Sequence, residues 1–258
     1  KPLFLDELWA EFESLKGNKN KLPEFHKKIS QLKFLDPACG CGNFLVITYR
    51  ELRLLELEVL RATYKSGQGV LDVSDIIWLD VDMMCGIEYE EFPARIAEVA
   101  MWLIDHQMNM LISNEFGQYF ARLPLKKSAK IVHGDALEVN WEDVVAKNQL
   151  SYIIGNPPFI GSKIMSQFQR NQIIKEFDNS KGCGVLDYVS GWYLKAAKYI
   201  QNTKIKTAFV STNSIVQGEQ TSILWGQMLN KYGVKIHFAH RTFKWSNEAK
   251  GNAAVYCI

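Results

Sequence analysis

The stretch SYIIGNPPFI, residues 151–160, drives an apolar run into Asn156, two prolines (Pro157 and Pro158) and Phe159. Consecutive prolines continue neither a helix nor a central strand, because both lack an N–H and hold φ fixed. The result is a rigid corner with a polar amide at its mouth. Three further stretches carry groups suited to binding. In LDPACGCGNF, Gly40 and Gly42 let backbone approach a ligand closely, and a helix beginning near Asn43 offers N–H groups. In GIEYEEF, the Glu88 carboxylate can accept from both hydroxyls of a ribose. In HGDAL, Asp135 can accept from an exocyclic amine. Each has a plainer reading: a tight turn at the glycines, a helix-start charge at Glu88, an N-cap at Asp135, an ordinary turn at Asn-Pro-Pro. What joins them is their order, each at the end of an expected strand.

The spacing excludes two common nucleotide loops. Position 45 is Leu, so the third glycine of G-x-G-x-x-G is missing, and no G-K-[ST] follows the first glycine. The pocket suits an adenosine that carries something other than a pyrophosphate. Cys39 and Cys41 form C-x-C without a second pair, and no cysteine stands at a matching distance before His237 and His240, so no structural metal is expected. The five cysteines read as reduced thiols of a cytoplasmic protein. With 30 basic and 28 acidic residues the net charge is +2, which neither demands nor excludes nucleic acid. No stretch approaches the roughly 20 apolar residues of a membrane span. The start, KPLFLDELWA, has neither an initiator Met nor a signal-peptide pattern, and the end falls inside NAAVYCI, as in a fragment of a longer chain.

The elements that must position these groups follow from periodicity. Leu5, Leu8, Trp9, Phe12 and Leu15 have helical spacing, and a second short helix runs to about Gln31, giving an N-terminal helical segment over 1–32. From there KFLD, MCGIEY, AKIVHG, SYIIG, TAFVST and VKIHFAH read as short apolar strands separated by helices. That alternation predicts an α/β fold, a doubly wound and mostly parallel sheet covered on both faces. VKIHFAHRTF and NAAVYCI are joined by a polar loop too short for a crossover helix, which predicts an antiparallel hairpin at one edge. Lys126, Lys127 and Lys130 read as a solvated loop, and Lys195, Lys198, Lys204 and Lys206 as a polar helix face and its end. Arg241, Lys244 and Lys250 flank the hairpin, with phosphate contact left open. Glu248 and Lys250 match half of a nuclease E-x-K pattern but lack the preceding Pro-Asp strand.

Taken together, LDPACGCGNF, GIEYEEFPARI, HGDAL and GNPPF resemble the successive motifs of S-adenosylmethionine-dependent N6-adenine DNA methyltransferases. DYVSGWYLKAAKYI, TAFVSTNSIVQGEQ and HRTFKWSNEAKGNAAVYCI extend the likeness over 33–258 and look like the MmeI-like group of restriction–modification enzymes. The resemblance implies a Rossmann-like class I methyltransferase domain over 33–258, with a seven-stranded sheet. Gly155 follows Asp135 by only 20 positions (155 − 135), too few for a recognition domain, so recognition is expected beyond residue 258, the gamma arrangement.

The resemblance also implies roles. Asp36 and the backbone around Ala38, Gly40 and Gly42 hold the methionine part of S-adenosylmethionine; Glu88 binds its ribose and Asp135 its adenine amine. The side-chain oxygen of Asn156 and the carbonyl of Pro157 accept from the amine of an adenine flipped out of double-stranded DNA. Phe159 stacks on that base, with Phe243 a second aromatic wall. A corner of Pro-Pro, where cytosine C5 enzymes carry Pro-Cys, argues against a cysteine nucleophile. Methylation of RNA or of a protein amide, and a non-catalytic recognition scaffold, are the alternatives to DNA modification.

Overall fold

The computed structural model describes residues 2–64, 72–120, 122, 128–245 and 255–257. Five strands, β1 (Phe34–Asp36), β2 (Met84–Glu88), β3 (Lys130–His133), β4 (Tyr152–Gly155) and β5 (Lys206–Phe209), form one sheet in the order β3-β2-β1-β4-β5. Every pairing in it is parallel. Parallel neighbours need crossovers, and helices supply them. These are α3 (Asn43–Thr63) after β1, α4 (Glu91–Phe116) after β2, α5 (Trp141–Val144) after β3, and α6 (Gln167–Glu176) with α7 (Ser190–Tyr199) after β4. The chain steps outward from β1 to β3 and then returns to pair β4 on the other side of β1. That reversal opens a crevice beyond the carboxyl ends of β1 and β4, where open α/β sheets bind ligands.

Successive strand residues point to opposite faces, and here both faces are covered. Phe34, Met84 and Ile154 join the core made by α3, α4, α1 (Leu5–Leu15) and α2 (Leu22–Ser30). Leu35, Cys85 and Ile153 join the opposite core, with Trp141, Ile173, Phe177 and Trp192. Burial on two faces explains why these strands read as unbroken apolar runs. Phe12, Phe25 and Ile29 are buried in the same core as Leu45 and Tyr49, so α1 and α2 pack directly on α3.

Among the described residues the main sheet has five strands rather than the expected seven. VKIHFAH, residues 234–240, is not a strand, and Ile236 and Phe238 are exposed. Instead β6 (Phe243–Trp245) pairs antiparallel with β7 (Val255–Cys257) in a separate two-stranded sheet, joined to the residues after β5 by a single bridge, Thr212↔Cys257. A lone amphipathic run gains little as a strand without a partner to take its backbone hydrogen bonds. Lys126, Lys127, Glu248 and Lys250 lie outside the described residues. Among the described residues no helix is long and apolar enough to cross a membrane.

Candidate functional site

Asp36 ends β1 and is fully buried. Its Oδ1 accepts from the Ala38 N–H at 3.0 Å, whereas Oδ2 is buried with no partner. Burial raises its pKa from 3.8 to about 7; the Ala38 N–H opposes the rise and the Glu88 charge adds to it. Gly155, the last residue of β4, lies against this carboxyl: a Cβ built there would stand 2.6 Å from Asp36 Oδ1. Only glycine allows β4 to turn into the proline corner at that distance. The next residue, Asn156, also has a buried side-chain oxygen, Oδ1, without a partner. Two unanswered acceptors thus flank the switch point between β1 and β4.

The bend between β1 and α3 is organised by its own N–H groups. Cys39 donates to the Ile87 carbonyl at 3.1 Å, Gly40 to Glu88 Oε2 at 2.8 Å, and Gly42 to the Cys39 carbonyl at 2.8 Å. Gly40 and Gly42 have φ of 54° and 85°, the left-handed region that favours glycine. A Cβ on Gly40 would meet nothing within 4 Å, and one on Gly42 would come within 3.1 Å of Ala97 on α4. Gly40 therefore faces open space and Gly42 a helix. With the N–H groups of residues 38, 39, 40 and 42 committed, the Asp36 carboxylate stands beside the bend with one oxygen unanswered, a group suited to a cation. Burial, then the Asp36 and Glu88 charges, pushes the Cys39 thiol far up, so it is no thiolate nucleophile.

Glu88 ends β2 and spans two segments, with Oε2 on Gly40 N–H and Oε1 on Glu90 N–H at 3.0 Å. Its carbonyl accepts from Gly134 at 2.8 Å, which draws the end of β3 alongside. Asp135 follows, its Oδ1 accepting from Leu137 N–H at 2.9 Å and its Oδ2 from Gln172 Nε2 at 2.8 Å. Asp36, Ala38, Gly40, Glu88 and Asp135 thus form one connected rim, with Gly155 and Asn156 beside Asp36. Pro157 is buried and Phe159 packs, half-buried, against the core of α6 and α7. Phe243 is 41% exposed on β6, in register with Cys257.

Several buried groups that hold the rim had no assigned role from sequence. Trp192 Nε1 donates to the Pro37 carbonyl at 2.9 Å, fixing the glycine bend. Asp187 Oδ1 accepts from Ser162 N–H at 3.0 Å, its Oδ2 accepts from the Ser214 hydroxyl, and Tyr188 N–H donates to the Ile160 carbonyl at 2.9 Å. These brace the chain just past Phe159. All three residues fall in DYVSGWY, where the four-residue step from Tyr188 to Trp192 was the one visible signal.

Comparison with known proteins agrees with this arrangement. The family described as MmeI, DNA-methyltransferase domain, matches residues 12–258. A curated relative from Bacillus subtilis (strain 168), DNA methyltransferase A, is 39% identical over 261 residues, covering 100% of this chain and 29% of its own length. A solved structure of the Type IIL restriction–modification enzyme MmeI in complex with DNA is 59% identical with a TM-score of 0.96, covering 100% of this chain and 34% of that one. The ATP-dependent Type ISP restriction–modification enzyme LlaBIII bound to DNA, at 15% identity and a TM-score of 0.50, shares the fold over 78% of this chain and 14% of its own. The chain therefore spans about a third of the length of its nearer relatives named here. With a family match over nearly its whole length, the chain belongs to the MmeI DNA-methyltransferase domain family.

Proposed function

We propose that this domain transfers a methyl group from S-adenosylmethionine to the N6 amine of an adenine flipped out of duplex DNA, as the modification part of a restriction–modification enzyme in the cytoplasm. The pair of unpartnered buried oxygens at the switch point, Asp36 Oδ2 and Asn156 Oδ1, carries this reading. Residues 33–258 form its catalytic domain, and the helices of 1–32 brace it.

The residues present fit the cofactor. A fully buried carboxylate with one empty oxygen favours a cationic ligand, and the open space at Gly40 admits one. Asp36 and the 38–42 loop would hold the methionine part, Glu88 the ribose and Asp135 the adenine amine. When bound, S-adenosylmethionine supplies a methyl group on a sulfonium, already activated toward a nucleophile.

The chain's own task is to activate and aim the amine. An adenine N6 lone pair is delocalised into the ring, so the amine is a poor nucleophile. Asn156 Oδ1 and the Pro157 carbonyl accept its hydrogens and localise density on nitrogen, and proline keeps that carbonyl from moving. Acceptors fixed in advance cost no reorganisation during reaction, and one such partner is worth about 2.7–4 kcal/mol of barrier. Phe159 stacks on the base and offsets part of the few kcal/mol that leaving the duplex costs. Phe243, on the hairpin attached beside β5, closes the pocket as a second wall.

The test is transfer from methyl-labelled cofactor to adenine-containing duplex DNA, RNA and peptide, using the full-length enzyme. Label recovered as N6-methyladenine in duplex supports the proposal. Label in RNA or peptide alone overturns the substrate, and no transfer with no cofactor binding leaves a recognition scaffold.

A further inference from the structure

We infer that Gln172, oriented by Tyr188, is the positioning residue that aims the Asp135 carboxylate at the exocyclic amine of the cofactor, making the site selective for a 6-aminopurine over a 6-oxopurine nucleoside. The inference rests on the adenosine-cofactor reading of the rim.

Gln172 lies on α6, a mostly polar helix, yet is only 4% exposed. Burying an amide is unfavourable unless its polar atoms are answered. Nε2 donates to Asp135 Oδ2 at 2.8 Å, and Oε1 accepts from the Tyr188 hydroxyl at 2.6 Å. Chemistry fixes this orientation, because an ionised carboxylate only accepts; a flipped amide would set Oε1 against Asp135 Oδ2. Tyr188 can serve as the donor throughout. Burial, then the charges of Asp135, Tyr89 and Glu138, holds its phenol well above its ordinary range.

Asp135 is thereby pinned at both oxygens, since Oδ1 is held by Leu137 N–H at 2.9 Å. Each carboxylate oxygen keeps further acceptor capacity. A rigid acceptor on a half-buried rim attracts an amine and repels a carbonyl, which is the difference between adenine and hypoxanthine. The frame around Gln172 is tight. A Cβ on Gly191 at the start of α7 would come within 2.9 Å of Ile173 and 3.1 Å of Leu137, so α6, the Asp135 turn and α7 are in direct contact. Tyr188 is further held by its N–H on the Ile160 carbonyl at 2.9 Å and by an edge contact with Trp192 at 5.1 Å. The same aromatic pair reaches the Pro37 carbonyl through Trp192. One bracket therefore supports both the adenine end and the methionine end of the rim.

The experiment measures binding of S-adenosylhomocysteine and of its deaminated 6-oxo analogue to the full-length protein by calorimetry. The wild-type protein should prefer the amino form by about 10–100-fold, as expected of one hydrogen bond to a charged group. Gln172→Leu should cut that preference to about 3-fold or less by weakening the amino form alone. Tyr188→Phe, which keeps the ring and removes only the hydroxyl, should reduce it to an intermediate value. Equal weakening of both nucleosides would mark Gln172 as a structural support and overturn the inference, as would an unchanged ratio in both variants. If the wild-type protein binds neither nucleoside, the cofactor reading falls as well, so the two failures are distinct.

Discussion

Asp36 is buried on all sides, shares one oxygen with Ala38 N–H and leaves the other unanswered. Burial pushes its carboxyl up from the ordinary 3.8 to about 7. The folded state therefore holds the proton more tightly than the unfolded chain. The stability that follows is fully present below pH 3.8 and is lost as pH rises to about 7. Asp36→Asn removes this dependence. Urea unfolding at pH 5 and pH 8 should show the wild type losing stability relative to Asp36→Asn, on the order of a few kcal/mol. A cationic cofactor would favour the ionised form, so below about pH 7 its binding should release protons in the wild type and none from this group in Asp36→Asn. Calorimetry in buffers of different ionisation enthalpy reads that release. The strand-end positions of Asp36, Glu88 and Asn156 were legible because each closes or follows an apolar run. Gln172 was not, since a glutamine in a polar helix gives no sign that tertiary packing will bury it.

At the scale of elements, the site depends on how closely β4 passes β1. Gly155 permits it, and Gly155→Ala would push a methyl group to 2.6 Å from Asp36 Oδ1. Overpacking of that kind costs about 1–3 kcal/mol. Because the displaced group is the Asp36 carboxylate, proposed to hold the cofactor, cofactor affinity should fall at least about 10-fold, by roughly 1.4 kcal/mol or more. A melting scan with and without S-adenosylhomocysteine separates the two effects. The central strands β1, β2 and β4 were readable as apolar runs between helices, because burial on both faces removes polar positions. The less buried edge strands β3 and β5 keep polar ends such as Lys130 and Lys206. The run at 234–240 has the same local pattern but no neighbouring strand, whereas β6 begins two residues after Arg241 and pairs with β7. Local pattern marks a candidate strand; only a partner makes it one.

At the scale of the molecule, α2, α3 and α4 on one face of the sheet are joined through a buried ionic hub. Arg53 of α3 is fully buried and meets Glu56 at 3.0 Å and Asp105 of α4 at 2.9 Å, and His26 of α2 meets Glu56 at 2.8 Å. Tyr49 donates to Asp105 at 2.6 Å, and the Trp78 and Leu79 N–H groups donate to Glu56 at 2.7 and 3.0 Å. Arg53→Met would leave two buried carboxylates without their shared cation, a loss of about 3–5 kcal/mol in unfolding free energy. Cofactor affinity, measured well below the melting temperature, should be unchanged, since the hub touches none of the rim. The proposed chemistry, by contrast, concentrates at Asn156. The most direct measurement is the single-turnover rate of methyl transfer to adenine in duplex DNA by full-length Asn156→Ala, alongside its cofactor affinity. The rate should fall by about 100- to 1,000-fold with the affinity held within about 2-fold. An unchanged rate, or a rate that falls only as cofactor binding is lost, would contradict the account.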